Sequence, residues 1–117
     1  VVIVQVYSFA EITYDREYKD LSIIANGKNY YKFTLPKDKD FVVTTVTPMT
    51  GEIDVAFTLY SDAKLETSID GEIDKKGANS SEAVGYQPLS SGGTYYLVIS
   101  EKSGKDGTYA ISLYPGW

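Results

Sequence analysis

Residues 92–114 read GGTYYLVISEKSGKDGTYAISLY, and the stretch says nearly the same thing twice. Gly93-Thr94-Tyr95 opens one apolar run, and Gly107-Thr108-Tyr109 opens the next, with SGKDG between them. Each run alternates with period two, the spacing that puts every second side chain on the same side of an extended strand. Ser, Gly, Lys and Asp in the intervening segment are turn formers. A turn centred on Gly104 sets Tyr95, Leu97 and Ile99 opposite Leu113, Ile111 and Tyr109. The spacing therefore predicts a hairpin with those six residues on one core face. Tyr96, Val98, Ala110, Ser112 and Tyr114 share the other face. Gly93 and Gly107 let the backbone enter each strand from a tight turn. On this reading the repeated phrase starts two core strands and is not itself a binding motif.

The same period runs outward through the chain. NYYKFTL (29–35) places Tyr31, Phe33 and Leu35 on one face, and DVAFTLYSD (54–62) does the same with Val55, Phe57 and Leu59. Strands are expected near 2–9, 21–25, 29–35, 40–47, 53–61, 65–70, 80–87, 94–100 and 108–114, each bounded by Gly, Pro, Asn or Asp. The best helical candidate is YDREYKDL, where Tyr14, Tyr18 and Leu21 allow one short amphipathic turn. The echo of GEID at 51–54 and 71–74 has unmatched flanks and is not read as a duplication. Strands of this length and spacing argue for an all-β sandwich or barrel with antiparallel strands. At 117 residues the chain fits one domain, 1–117, able to bury roughly two thirds of its unfolded surface. Eleven tyrosines against four phenylalanines suit sheets with one wet face.

Composition also removes function classes. A formal net charge of −5 argues against nucleic acid, whose phosphates need a basic face, and gives no reason to expect an anionic membrane surface as partner. No apolar run approaches the length of a spanning helix. The chain has no histidine and no cysteine, which removes Ser-His-Asp and Cys-His catalysis and every His-ligated metal site. VVIVQV at the start is too short for a signal peptide, lacks a basic flank and has no Met before it. The chain is expected to be a piece of something longer.

Four phrases in order, YYKFTLP (30–36), IDVAFTLYSD (53–62), GGTYYLVIS (92–100) and DGTYAISLY (106–114), resemble the bacterial pre-peptidase C-terminal domain, a family that includes the collagen-binding domains of clostridial collagenases. The resemblance covers a core of about residues 26–114 and leaves 1–25 as an extra N-terminal strand or linker. It implies a β-sandwich of jelly-roll type. It also implies a secreted, protease-associated module that lies C-terminal to a parent hydrolase and aids its stability or substrate attachment. Some members bind calcium through an acidic segment before the first core strand. Here that neighbourhood is IIANGKNYYKF, with Asn29 where Asp is common and no carboxylate upstream until Asp20. Collagen-binding relatives place further tyrosines past the YYL strand, where this chain has Ser100 and Lys102.

Three candidate chemistries remain. Glu52 with Asp54, and Glu72 with Asp74, are carboxylate pairs two apart, the raw material of glycoside hydrolysis, but a charged strand edge explains them as well. Asp70, Glu72 and Asp74 have the one-three-five spacing of calcium loop ligands, yet Lys75 and Ser81 replace the Gly and Glu that an EF-hand needs. They are weak metal candidates, and the sequence predicts little or no calcium dependence. Tyr60, Tyr96 and Tyr114 fall on outward positions and form the candidate binding platform, suited to a sugar ring or a fibrous polypeptide unless the N-terminal strand covers them. Trp117, after Pro115-Gly116, is expected to cap the end of the barrel, the alternative being that it is simply where the chain stops.

The expectation is a non-catalytic accessory module of a secreted peptidase, with no cofactor and no catalytic residue. Its partners would be the parent catalytic domain and a polymeric protein or polysaccharide. A carbohydrate-binding module of a secreted glycosidase is the alternative, and an enzyme built on carboxylates alone comes third.

Overall fold

The computed structural model describes residues 7–74, 76–86 and 92–114. Eight strands form: β1 (Ala10–Glu11), β2 (Arg16–Ile23), β3 (Lys28–Thr34), β4 (Val42–Thr50), β5 (Val55–Tyr60), β6 (Glu82–Tyr86), β7 (Thr94–Glu101) and β8 (Gly107–Tyr114). They make two four-stranded sheets, ordered β1-β3-β7-β5 and β2-β8-β4-β6. All pairs are antiparallel except β1 with β3, which is parallel over Ala10↔Tyr31 and Glu11↔Lys32. This is an all-β sandwich. The described residues contain no helix long and apolar enough to cross a membrane. Residues 2–6 of the expected 2–9 strand and the Trp117 cap lie outside the described residues.

The odd-numbered strands fill one sheet and the even-numbered strands fill the other. Every connection between these strands therefore crosses from sheet to sheet, and none of them pairs with its neighbour in sequence. That corrects the expected hairpin. β7 pairs with β3 and β5, while β8 pairs with β2 and β4. The six alternating residues are nonetheless buried in one core cluster, Leu97, Ile99, Tyr109, Ile111 and Leu113 completely and Tyr95 nearly so. They meet face to face across the sandwich instead of side by side within a sheet.

The connection closes around Glu101, the last residue of β7, which is 2% exposed. Its Oε1 accepts the backbone N–H groups of Gly104 (2.6 Å), Lys105 (3.0 Å) and Asn26 (3.2 Å). Its Oε2 accepts the N–H of Ser103 (2.8 Å) and of Asp54 (3.1 Å), as well as the Ser103 hydroxyl. A buried carboxylate thus gathers the β7–β8 connection, the β2–β3 turn and the entry to β5 into an arch. The N–H groups of the connecting turn, Ser103, Gly104 and Lys105, point inward onto one anion together with those of Asn26 and Asp54. Burial raises the Glu101 pKa, and the Ser103, Asn26 and Asp54 hydrogen bonds outweigh it, bringing the pKa down to about 2.

Two other expectations change for local reasons. Residues 14–21 make no helical turn, because 16–23 is strand β2. The register with β8 slips between Tyr18 and Leu21, and Asp20 takes a left-handed φ of 58° there. The extra residue of the bulge lets Tyr18 and Leu21, three apart, both pack on the core, which imitates helical spacing. Residues 65–70 form no strand and contribute a single bridge, Ser68 to Tyr60. The core itself follows the alternation, with Tyr31, Phe33, Leu35, Val55, Phe57 and Leu59 all buried. Across it, the hydroxyls of Tyr31 and Tyr109 lie 2.6 Å apart, and Asn29 Nδ2 donates to the Tyr109 oxygen at 2.8 Å. Burial, then the Tyr31 hydroxyl, push the Tyr109 phenol well above its ordinary range, so it stays neutral.

Candidate functional site

The outward face of the first sheet carries the aromatic residues. Tyr60 on β5 and Tyr96 on β7 are direct cross-strand partners, and each alternates with a core residue, Leu59 and Leu97. Both are half-buried. Tyr30 of β3 sits on the same face, opposite Val98. Residues 7–9, just before β1, run over this strip. The Phe9 ring lies 4.8 Å from Tyr96 and 6.2 Å from Tyr30, and the Tyr7 ring lies 5.2 Å from Tyr30. Residues 7–9 therefore cover part of the platform, and in doing so add two aromatic rings to it. Beside the strip is an open cleft of about 380 Å³ lined by Ser8, Phe9, Lys28, Asn29 and Tyr30 among others. Flat rings beside a polar cleft can take a sugar or an extended peptide by stacking and hydrogen bonding.

Tyr114 is elsewhere. It is 39% exposed at the end of β8, in the second sheet, paired with Val43. The sandwich lies between it and Tyr96, so the three tyrosines form one pair and one separate residue. Period-two alternation tells inward from outward. It does not tell which of two sheets a strand joins, so it marks Tyr30 as outward without showing that it shares a face with Tyr60 and Tyr96.

The carboxylates are also regrouped. Glu52 is exposed and bonds Lys105 at 3.4 Å, while Asp54, two residues on, turns inward. Of the calcium-like set, Asp70 is exposed, and Glu72 pairs with Lys102 at 3.0 Å. Asp74 instead joins Asp54 and Glu82, with one carboxylate oxygen from each lying within 4.8 Å of the other two. Glu82 opens β6 and is 1% exposed, and its Oε2 accepts the Lys76 N–H at 2.6 Å. Asp54 Oδ1 has less than 1 Å² of accessible area and accepts no hydrogen bond. Burial, then the charges of Asp74, Glu82 and Glu101, push the Asp54 pKa up, and Lys102 pulls it back in part. These are oxygen donors only, the set that suits a hard cation. Glu82 has no signature in sequence, since a Glu after two serines reads as a solvated strand start.

Neither protein-family models nor curated proteins match this sequence. Solved structures do. The chain is similar to the pre-peptidase C-terminal domain of collagenase from Bacillus anthracis, with a TM-score of 0.69 and 20% identity, over 95% of this chain and 99% of that one. It is also similar to a periplasmic inhibitor of g-type lysozyme from Aeromonas hydrophila, with a TM-score of 0.51 and 13% identity, over 91% and 99% of the two chains. At these identities the likeness shows a shared sandwich fold.

Proposed function

We propose that this chain is a non-catalytic accessory module of a secreted peptidase, with Tyr60 and Tyr96 as its contact to a polymeric protein substrate. The observation that carries the reading is the end-to-end likeness to the collagenase pre-peptidase C-terminal domain, which leaves almost nothing of either chain unmatched. The composition agrees. With no histidine or cysteine, the nucleophile–base pairs that most peptidases use are absent. What the fold offers a partner is surface: paired half-buried tyrosines flanked by Phe9 and Tyr30. Tyrosine suits that role because fixing its two side-chain torsions costs little entropy.

The test is retention of the 117-residue chain on insoluble collagen, elastin, cellulose, xylan and chitin. Retention on a protein polymer is expected, with Tyr60→Ala and Tyr96→Ala each weakening it several-fold while the melting temperature moves by only a few degrees. Tyr114→Ala, on the other sheet, is expected to bind as the parent does. Retention on a polysaccharide instead, lost in the same two variants, replaces this reading with that of a carbohydrate-binding module. Undiminished binding by both variants refutes the platform and leaves stabilisation of the parent enzyme as the module's role.

A further inference from the structure

We propose that Asp54, Asp74 and Glu82 form a calcium site that ties the long β5–β6 connection to both sheets. The three residues come from separate places in the fold. Asp54 immediately precedes β5 in the first sheet, Glu82 begins β6 in the second, and Asp74 lies in the irregular segment between them. Their carboxylate oxygens lie within 4.8 Å of one another. Oxygens that share a calcium ion at roughly 2.3–2.6 Å stand up to about 5 Å apart, so the observed spacing fits a single ion without rearrangement.

Close carboxylates alone would be only a charged cluster. The independent observation is Asp54 Oδ1, an oxygen closed off from solvent with no donor facing it. Folded proteins very seldom leave a buried anionic oxygen unsatisfied, because it has lost its water and gained nothing. The neighbouring buried carboxylate, Glu101, meets six donors, and the other unpartnered buried side-chain oxygen among the described residues, Thr44 Oγ1, is a neutral hydroxyl. Lys102, whose charge also acts on Asp54, is already engaged by Glu72 at 3.0 Å. A divalent cation supplies what Asp54 lacks and offsets the repulsion among the three charges at once.

The location gives the ion a mechanical role. The described residues between β5 and β6 form no strand and are held by isolated bridges such as Ile73 to Phe57. Connections this long and irregular need other fastenings. An ion at Asp74 would fasten the segment one residue beyond the Ile73 bridge, to Asp54 on one side and Glu82 on the other. This place is distinct from the segment before β3 and from the aromatic strip. It also replaces the local trio Asp70, Glu72 and Asp74, of which it keeps only the last. The competing occupant is a proton shared between Asp54 and a neighbour.

Calorimetric titration of chelator-treated protein with calcium at pH 7 separates the two. One calcium per chain is expected, and 10 mM calcium is expected to raise the melting temperature by about 5–10 °C, given the submillimolar-to-millimolar affinities of extracellular calcium modules. Chelator should reverse the rise. Asp54→Asn and Glu82→Gln should abolish both binding heat and thermal shift, and Asp70→Asn should leave them intact. If Asp54→Asn and Glu82→Gln fail to fold, the exposed Asp74→Asn carries the test, with an expected tenfold or greater loss of affinity. Absence of calcium heat and of any thermal shift at 10 mM overturns the site in favour of the shared proton. A calcium response that survives in Asp54→Asn or Asp74→Asn overturns it too, since the ion would then be bound elsewhere.

Discussion

Replacing Glu101 by glutamine keeps the size of the side chain and removes its charge. The carboxylate oxygens accept from five backbone N–H groups and one hydroxyl, drawn from three segments. A glutamine amide puts an NH2 where one oxygen stood, so two or three of those donors meet another donor. The depressed pKa sets the scale. A carboxyl brought from 4.5 to about 2 favours the folded, ionised state by about 3 kcal/mol, at roughly 1.36 kcal/mol per pKa unit. The group is 2% exposed, so solvent screening takes little from that figure. Glu101→Gln is therefore expected to lose about 3 kcal/mol at pH 7, seen as a urea midpoint lower by about 1.5 M for a slope near 2 kcal/mol/M. Because the folded pKa lies below the unfolded one, the stabilisation is complete above about pH 5.5 and is lost as pH falls through 4.5 towards 2. The gap between parent and variant should shrink to roughly 1.5 kcal/mol by pH 3. Urea unfolding followed by circular dichroism across pH 3–7 measures both quantities. A gap below about 1 kcal/mol at pH 7, or one that does not change with pH, would show that the arch does not depend on the anion.

The remaining expectations concern the core and the backbone. Leu97→Ala and Ile111→Ala each open a cavity in a fully buried site and should cost about 2–5 kcal/mol in urea unfolding; losses below 1 kcal/mol would mean the sheets can close over the gap. A Cβ on Gly107 would sit 2.2 Å from the Thr50 carbonyl oxygen, so Gly107→Ala should cost more than about 3 kcal/mol or prevent folding. Gly71→Ala meets nothing within 4 Å and has only a positive φ of 69° to hold, so about 1 kcal/mol is expected, and thermal melts of the two variants should differ accordingly. Tyr31→Phe removes the hydroxyl that bridges the sheets to Tyr109 while Asn29 still serves Tyr109, and should lower stability by about 1–2 kcal/mol.

The alternation of residues 92–114 is a local property, and it correctly picks the core residues, although Val98 and Ala110 on the outward face are buried as well. Tyr95, Leu97, Ile99, Tyr109, Ile111 and Leu113 are buried because a strand has only two faces and the apolar one must pack. The same logic holds for Tyr31, Phe33 and Leu35, and for Val55, Phe57 and Leu59. The all-β class is therefore written in short-range pattern, and it needs no knowledge of what each strand packs against.

Strand pairing is not written that way. A polar turn between two alternating runs is compatible with a hairpin in one sheet and with an arch between two, since both bury the same six residues. The choice rests on Glu101, whose carboxylate collects N–H groups from residues 26 and 54 as well as from its own turn. In the sequence it is one more Glu beside a lysine. Long-range contacts of this kind also separate Tyr114 from Tyr60 and Tyr96, and bring Asp54, Asp74 and Glu82 together from positions up to 28 apart. Local spacing grouped Asp70, Glu72 and Asp74 because they recur every second residue, but a chain outside regular strands does not preserve that period in space. Apart from the buried Glu82 and Glu101, the sequence by itself decided which apolar residues of the alternating strands form the core. Only the tertiary structure decided which of them meet, because meeting depends on how eight strands divide between two sheets, and that division is settled by buried polar groups whose partners lie far away along the chain.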